Sequence, residues 1–115
     1  MRCERLDVWK RSCRLSVDIY KYFSTCKDYG FKDQITRSSL SIASNIAEGV
    51  EKESNKEKIR FIEIARGSTA ELITQIYIGI EINYINKETG LLWIKEIHEI
   101  SSMLIGLKRS YATNI

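Results

Sequence analysis

The sequence predicts an all-α protein, an antiparallel up-down four-helix bundle within one domain that spans residues 1–115. Apolar residues recur at three- and four-residue steps through most of the chain, which indicates helices with one inward face. Proline is absent, and all-β proteins usually recruit proline for their turns. Hydrophobic residues make up 43% and charged residues 29%, the balance of a soluble globular protein. A chain of 115 residues holds one core but not two.

The first helix is predicted over about residues 4–26, where one apolar stripe recurs at helical spacing. We expect this stripe to point into the bundle. Gly30 is expected to end the pattern, because glycine adopts positive φ without strain. The residues of the stripe are Leu6, Trp9, Cys13, Val17, Tyr20 and Phe23.

The second helix, over about 33–50, contains the run RSSLSIASNIAEG, which is poor in bulky side chains. A linker would not place isoleucines at helical spacing, and a phosphate-binding loop would need a Gly-Lys-Ser/Thr ending. We therefore expect a crowded helix that ends at Gly49 and approaches a neighbour closely, with Gly67, Ser68 and Ala70 as the matching surface. Its predicted inward residues are Ile35, Ser39, Ile42, Ile46 and Gly49.

The third helix is predicted over about 55–84, beginning after a capping box formed by Ser54 and Glu57. Two signals compete with one long helix: Gly67 is a potential break, and ITQIYIGIEINYI alternates with period two, as strands do. A lone strand would find no partner here, so we retain the helix. It then carries two apolar stripes: Leu72, Ile76, Ile80 and Tyr84 would fill the bundle, and Ile78, Ile82 and Ile85 would meet another subunit.

The fourth helix is predicted over about 87–110, with Asn86 as its N-cap. Lys108 and Arg109 suit the negative end of its dipole. Its expected inward residues are Ile97, Ile100, Leu104, Leu107 and Tyr111.

The sequence shows no constellation of catalytic or metal-binding residues. The three cysteines form no C-x-x-C pair, and His98 is the single histidine, so a zinc site with several histidines is excluded. Ser68 follows a glycine but lies outside a G-x-S-x-G motif. We expect no catalytic residues, no metal and no cofactor. The start lacks a secretory signal and no apolar run is long enough to span a membrane, so we expect a cytoplasmic protein.

Positive charge is concentrated near the start of the chain. Residues 1–39 hold nine Lys/Arg against five Asp/Glu, and residues 40–115 hold nine against ten. Such a basic segment could bind an acidic partner such as RNA. A solvated helix face with intrahelical ion pairs is the equally weighted alternative. The candidate nucleic-acid-binding residues are Lys10, Arg11, Arg14, Lys21 and Arg37.

Two segments, QITRSSLSIASNIAEG (34–49) and FIEIARGSTAEL (61–72), together with the opening LDVWKRS, resemble the four-helix-bundle proteins encoded in intervening sequences of bacterial 23S ribosomal RNA genes. Ala43 and Thr36 depart from the family pattern, which often has proline and a second arginine there. The polar and glycine positions that match are Gln34, Arg37, Ser41, Asn45, Glu48, Gly49, Gly67, Ser68 and Glu71.

The resemblance implies a bundle whose relatives assemble into a ring of five, and a distant relative serves as accessory subunit to a reverse transcriptase. It implies no established reaction. We therefore expect a non-enzymatic homopentamer that binds RNA or a nucleoprotein complex through its basic surface. The alternative is a protein-interaction scaffold or accessory subunit without nucleic-acid contact.

Asn45 and Glu48 are the polar residues of the second helix that call for a role. We expect Glu48 to pair with Arg66 or Arg37, and Asn45 to bond across to a neighbouring helix backbone and fix the register. The alternative makes both part of a shared polar site at a subunit contact.

Overall fold

The computed structural model describes residues 1–113, which form four α-helices and no strand. After a 3-10 turn at Cys3–Arg5, the helices are α1 (Asp7–Tyr22), α2 (Tyr29–Val50), α3 (Asn55–Glu81) and α4 (Lys87–Ala112). They pack into a rod of 46 × 20 × 20 Å. Each helix contacts the next along the chain, and α1 also contacts α4, although that side of the bundle has the least contact. The all-α prediction is confirmed, including the window that alternates like a strand.

The first connection differs from the prediction. Leu6 is extended, so α1 begins only at Asp7, and it ends at Tyr22. Gly30 does not break the chain but lies in the first turn of α2. The helix begins before it because the Asp28 carboxylate accepts the Phe31 amide at 3.1 Å, which satisfies an unpaired amide of the first turn. No glycine in residues 1–113 has positive φ.

Both predicted N-caps are confirmed, although the Glu57 carboxylate binds Arg60 at 2.9 Å instead of closing the predicted capping box with Ser54. The Ser54 hydroxyl accepts the amide of Glu57 at 3.2 Å, and α3 then runs through Gly67 without interruption. The helix ends at Glu81 rather than near residue 84. Asn83, with φ of 63°, makes the turn. The Asn86 side chain then accepts two amides of the first turn of α4.

The inward stripe of α1 is not the predicted one. Val17 and Tyr20 are 49% and 43% exposed, and of the predicted stripe only Phe23 is fully buried. Two serines are buried instead, and both are hydrogen-bonded: Ser12 donates to the Val8 carbonyl at 2.7 Å, and Ser16 bonds to Ser39 at 3.0 Å. Burying a hydroxyl is tolerable when it has a partner. The residues of α1 that are buried are Val8, Ser12, Leu15, Ser16 and Ile19.

The other three helices largely follow the predicted pattern. All five inward residues of α2 are buried, as are Leu72 and Ile76 of α3. Ile80 is partly buried, but Tyr84 was wrongly predicted to fill the bundle, since it lies beyond the end of α3 and is exposed. In α4, Ile97, Ile100 and Leu104 are fully buried, with Leu107 and Tyr111 partly buried beside them. The second stripe of α3 is split, because Ile78 and Ile82 are exposed while Ile85 is buried.

Candidate functional site

Polar residues of the two motif segments converge on one groove between α2 and α3. The groove has a volume of about 260 Å³. Because Ser41 and Ser68 are 27 positions apart in the sequence, only the packing of α2 against α3 brings them together. The residues that line the groove are Gln34, Arg37, Ser38, Ser41, Ser68 and Glu71.

A directional chain of hydrogen bonds forms the inner wall of this groove. The Asn45 amide donates to the Ser41 hydroxyl at 3.0 Å, and the Ser41 and Ser68 hydroxyls are 2.8 Å apart. Ser68 in turn donates to the Ile64 carbonyl at 3.3 Å. Since an amide NH₂ only donates and a carbonyl only accepts, Ser41 must be the donor to Ser68. The chain therefore links α2 to α3 at one fixed register.

The hydrogen-bond and ion-pair partners predicted for Asn45 and Glu48 are both wrong. Asn45 bonds to Ser41 within its own helix and reaches α3 only through that hydroxyl, rather than through a backbone group of α3. Glu48 is exposed, and its expected partners pair elsewhere. Arg66 binds Glu63 and Arg37 binds Asp33, each at 3.0 Å. Both arginines thus prefer a carboxylate one turn earlier on their own helix.

Two glycines of the motif have opposite environments. Gly49 packs directly against α3, and a Cβ there would be 2.9 Å from the Phe61 Cβ. Such a separation is shorter than van der Waals contact, so the close approach requires glycine. Gly67 is exposed in the middle of α3, and a Cβ there would meet nothing within 4 Å. The packing of this chain therefore explains Gly49 but not Gly67.

The predicted basic surface is only partly assembled. Lys10, Arg14 and Lys21 are exposed along α1, and we call these three residues the α1 basic row. Arg37 lies on α2 beside the polar groove, so it does not join the row. The structure thus divides the five candidate residues among the α1 basic row, the polar groove beside Arg37, and Arg11, which is ion-paired to α4.

Arg11 is bound to two carboxylates of α4. Its guanidinium binds Glu96 through two nitrogens and Glu99 at 2.9 Å. These hydrogen bonds raise the pKa of Arg11 and hold the pKa of Glu96 below its ordinary value. Two carboxylates around one guanidinium leave it little positive potential to offer a phosphate. Arg11 therefore links α1 to α4.

An apolar groove between α1 and α2 was missed by the sequence analysis. It has a volume of about 340 Å³. The available signal was the double apolar character of α1, because three residues of the stripe predicted to point inward, Cys13, Val17 and Tyr20, line this groove. Burial raises the pKa of its Cys13 thiol. The residues that line it are Cys13, Ser16, Val17, Tyr20, Lys21, Leu40 and Ala43.

Within residues 1–113, no group of three or more His, Cys, Asp or Glu side chains could hold a metal ion. His98 is exposed on α4, and Ser68 has Ser41 and the Ile64 carbonyl as its hydrogen-bond partners. None of the helices in this part of the chain is long and apolar enough to cross a membrane.

The fold and the groove define a four-helix-bundle protein whose polar motif residues join two helices. Its sequence matches the family model of the 23S rRNA-intervening sequence protein over residues 4–106, and the chain belongs to this family. No curated protein has a matching sequence.

A solved structure supports the same fold. The crystal structure of a protein of unknown function from the S23 ribosomal protein family of Bacteroides thetaiotaomicron is 28% identical to this chain. The match covers 88% of this chain and 97% of that one, with a TM-score of 0.82.

Proposed function

We propose that this protein is a cytoplasmic, non-enzymatic up-down bundle that assembles into a ring of identical copies and binds structured RNA through the α1 basic row. The row carries the proposal: Lys10, Arg14 and Lys21 are exposed on one helix, four and seven positions apart. Residues at such spacing share a helix face, so their charges add along one edge of the bundle.

Assembly would multiply this weak charge. Three cations on one chain give a modest phosphate contact, whereas a ring of five, as the resemblance to the family implies, would present five such rows to one RNA. Several linked weak contacts bind far more tightly than one. The chain's family, named for an intervening sequence of 23S ribosomal RNA, makes structured RNA the first ligand to test.

The experiment measures binding of the wild-type protein to 23S ribosomal RNA fragments by filter binding across a salt series. The test variant replaces all three residues of the α1 basic row with glutamine. The matched control replaces Lys56, Lys87 and Lys95, three exposed lysines on α3 and α4, and so removes the same charge. We expect the test variant to flatten the salt dependence by about one unit of slope per lost phosphate contact, and the control to leave it unchanged.

Wild-type affinity that does not change with salt would overturn RNA binding. Equal losses in the test and control variants would show that net charge alone acts, and would remove the α1 basic row from the proposal.

A protein-interaction scaffold, such as an accessory subunit to a reverse transcriptase, is the second candidate. The apolar groove between α1 and α2 favours it, because apolar grooves of this kind commonly receive protein segments. This candidate predicts partner capture that survives nuclease treatment, whereas capture lost on nuclease treatment would favour RNA.

A further inference from the structure

The polar groove between α2 and α3 contains two charged residues that are not paired with each other. Arg37 of α2 and Glu71 of α3 both line it, but Arg37 binds Asp33 of its own helix at 3.0 Å. Glu71 is exposed and has no hydrogen-bond or ion-pair partner within residues 1–113. The groove therefore offers a carboxylate and a guanidinium, on facing helices, to a ligand outside the chain.

Asp33 holds the Arg37 guanidinium in place without using most of its donors. The carboxylate accepts the Nε hydrogen of Arg37 at 3.0 Å. The two terminal nitrogens carry the remaining N–H groups and have no partner in the part of the chain that the structure describes. A guanidinium held at Nε presents these nitrogens as a fork, the geometry that binds two adjacent acceptors at once.

A buried acceptor on α3 adjoins the same groove. Two contacts set the register of the helices: Ser41 bonds to Ser68 at 2.8 Å, and a Cβ at Gly79 would be 3.2 Å from the Phe31 Cζ. Gln75 lies between Ser68 and Gly79 on the face of α3 that packs against α2. Its buried carbonyl oxygen has no hydrogen-bond partner within residues 1–113. Such unsatisfied atoms are uncommon in folded proteins, and a ligand donor would satisfy this one.

Guanine is the nucleobase whose hydrogen-bonding groups complement the two charged residues. Its N1–H and N2–H₂ groups are adjacent donors for one carboxylate, and its O6 and N7 atoms are adjacent acceptors for one arginine. Adenine would turn its amino group toward the arginine. Cytosine and uracil each offer the carboxylate a single donor group. The groove volume of about 260 Å³ is smaller than that of pockets for whole drug-sized ligands, so it suits one base.

We propose that the polar groove binds one unpaired guanine of the RNA, with Glu71 accepting from N1–H and N2–H₂ and Arg37 donating to O6 and N7. This inference rests on the RNA binding in the proposed function and names the base that the protein recognises. Proteins that recognise RNA sequence commonly bind bases turned out of loops and bulges.

The position of the groove fits the proposed path of the RNA. Lys21 of the α1 basic row borders the apolar groove on one side of α2, and Arg37 borders the polar groove on the other side. Only α2 separates the two surfaces. A strand that crosses α2 can therefore place its phosphates on the α1 basic row and one base in the polar groove.

The test measures binding of fluorescently labelled RNA pentamers by anisotropy. Each pentamer consists of uridines except for its central base, which is guanine, adenine, cytosine or uracil, so the four are unpaired and differ at one position. We expect the wild-type protein to bind the guanine pentamer about tenfold more tightly than the other three, the order of discrimination that a bidentate contact to one base provides.

Two variants separate base recognition from charge. Glu71→Gln leaves one acceptor where the carboxylate had two, and Arg37→Lys keeps the positive charge but loses the fork. Each should lower the affinity for the guanine pentamer to that of the other three. The matched control is Glu81→Gln, which removes the same charge from an exposed position of α3 outside the groove and should keep the guanine preference. Far-UV circular dichroism confirms that each variant is folded.

Equal wild-type affinity for the four pentamers, including no measurable binding to any of them, would overturn the inference. A guanine preference that survives in either groove variant would also overturn it, because the base would then be recognised elsewhere. Salt-dependent binding of the same wild-type protein to the 23S ribosomal RNA fragment would in both cases leave the proposed function standing. Absence of that binding as well would remove RNA as the ligand.

Discussion

Replacing Gly49 with alanine tests the close approach of α2 and α3. The added Cβ would be 2.9 Å from the Phe61 Cβ and 3.4 Å from the Lys58 carbonyl oxygen. Neither atom can move without its backbone, and overpacking of this kind costs about 1–3 kcal/mol. Alanine is favoured over glycine within a helix by about 1 kcal/mol, which offsets part of that cost. We expect a net loss of up to about 2 kcal/mol in the free energy of unfolding.

Gly106→Ala is the matched control, because Gly106 is exposed on α4 and a Cβ there would meet nothing within 4 Å. It should stabilise the protein by up to about 1 kcal/mol. Urea denaturation of both variants at one protein concentration measures the two free energies, since assembly makes stability depend on concentration. Equal effects of the two substitutions would refute the steric reasoning.

Three further predictions concern the polar contacts. Asn45→Ala and Ser68→Ala, combined in a double-mutant cycle, should show coupling of about 0.5–1.5 kcal/mol in urea denaturation, because one hydrogen-bond chain joins them; additive effects would contradict it. Ser54→Ala should cost about 1 kcal/mol of stability through loss of the α3 cap, and an unchanged denaturation midpoint would count against that role. Because Arg11 lowers the pKa of Glu96 from 4.5, their contact stabilises the fold fully above that pH and less as the pH falls through the lowered value. Arg11→Met should therefore weaken the acid dependence of thermal unfolding, and an identical pH profile would show that the pair contributes nothing.

Local signals in the sequence predicted much of the fold. Ser54 and Asn86 are caps recognisable from side-chain chemistry and spacing alone. The inward faces of α2 and α4 follow from helical periodicity, because polar residues occupy much of their outer sides. Such features depend on residues within a few positions of one another.

Periodicity failed for α1 because that helix has two apolar stripes. A pattern identifies an apolar face but does not say whether the same chain or a partner covers it. The face of α1 that points inward contains Ser12 and Ser16. Their hydroxyls can be buried because Ser12 bonds to the Val8 carbonyl and Ser16 bonds to Ser39. Gly30 was misjudged for a related reason, since the cap at Asp28 determines where α2 begins.

The candidate sites show the same limit over longer distances. Resemblance grouped Ser41 with Ser68, but their hydrogen bond follows only from the packing of α2 against α3. Arg11 counted as a free cation in the sequence, whereas Glu96 and Glu99, which neutralise it, lie 85 and 88 positions away. Residue spacing within one helix does not predict contacts of this kind between helices.

Native mass spectrometry of the wild-type protein, with and without a 23S ribosomal RNA fragment, tests the central claim most directly. We predict one defined assembly whose mass is a whole-number multiple of 13.3 kDa. The resemblance to the family implies five copies. At low salt this assembly should gain the mass of the RNA. A 13.3 kDa species that stays monomeric and unbound at micromolar concentration would contradict both the assembly and its ligand.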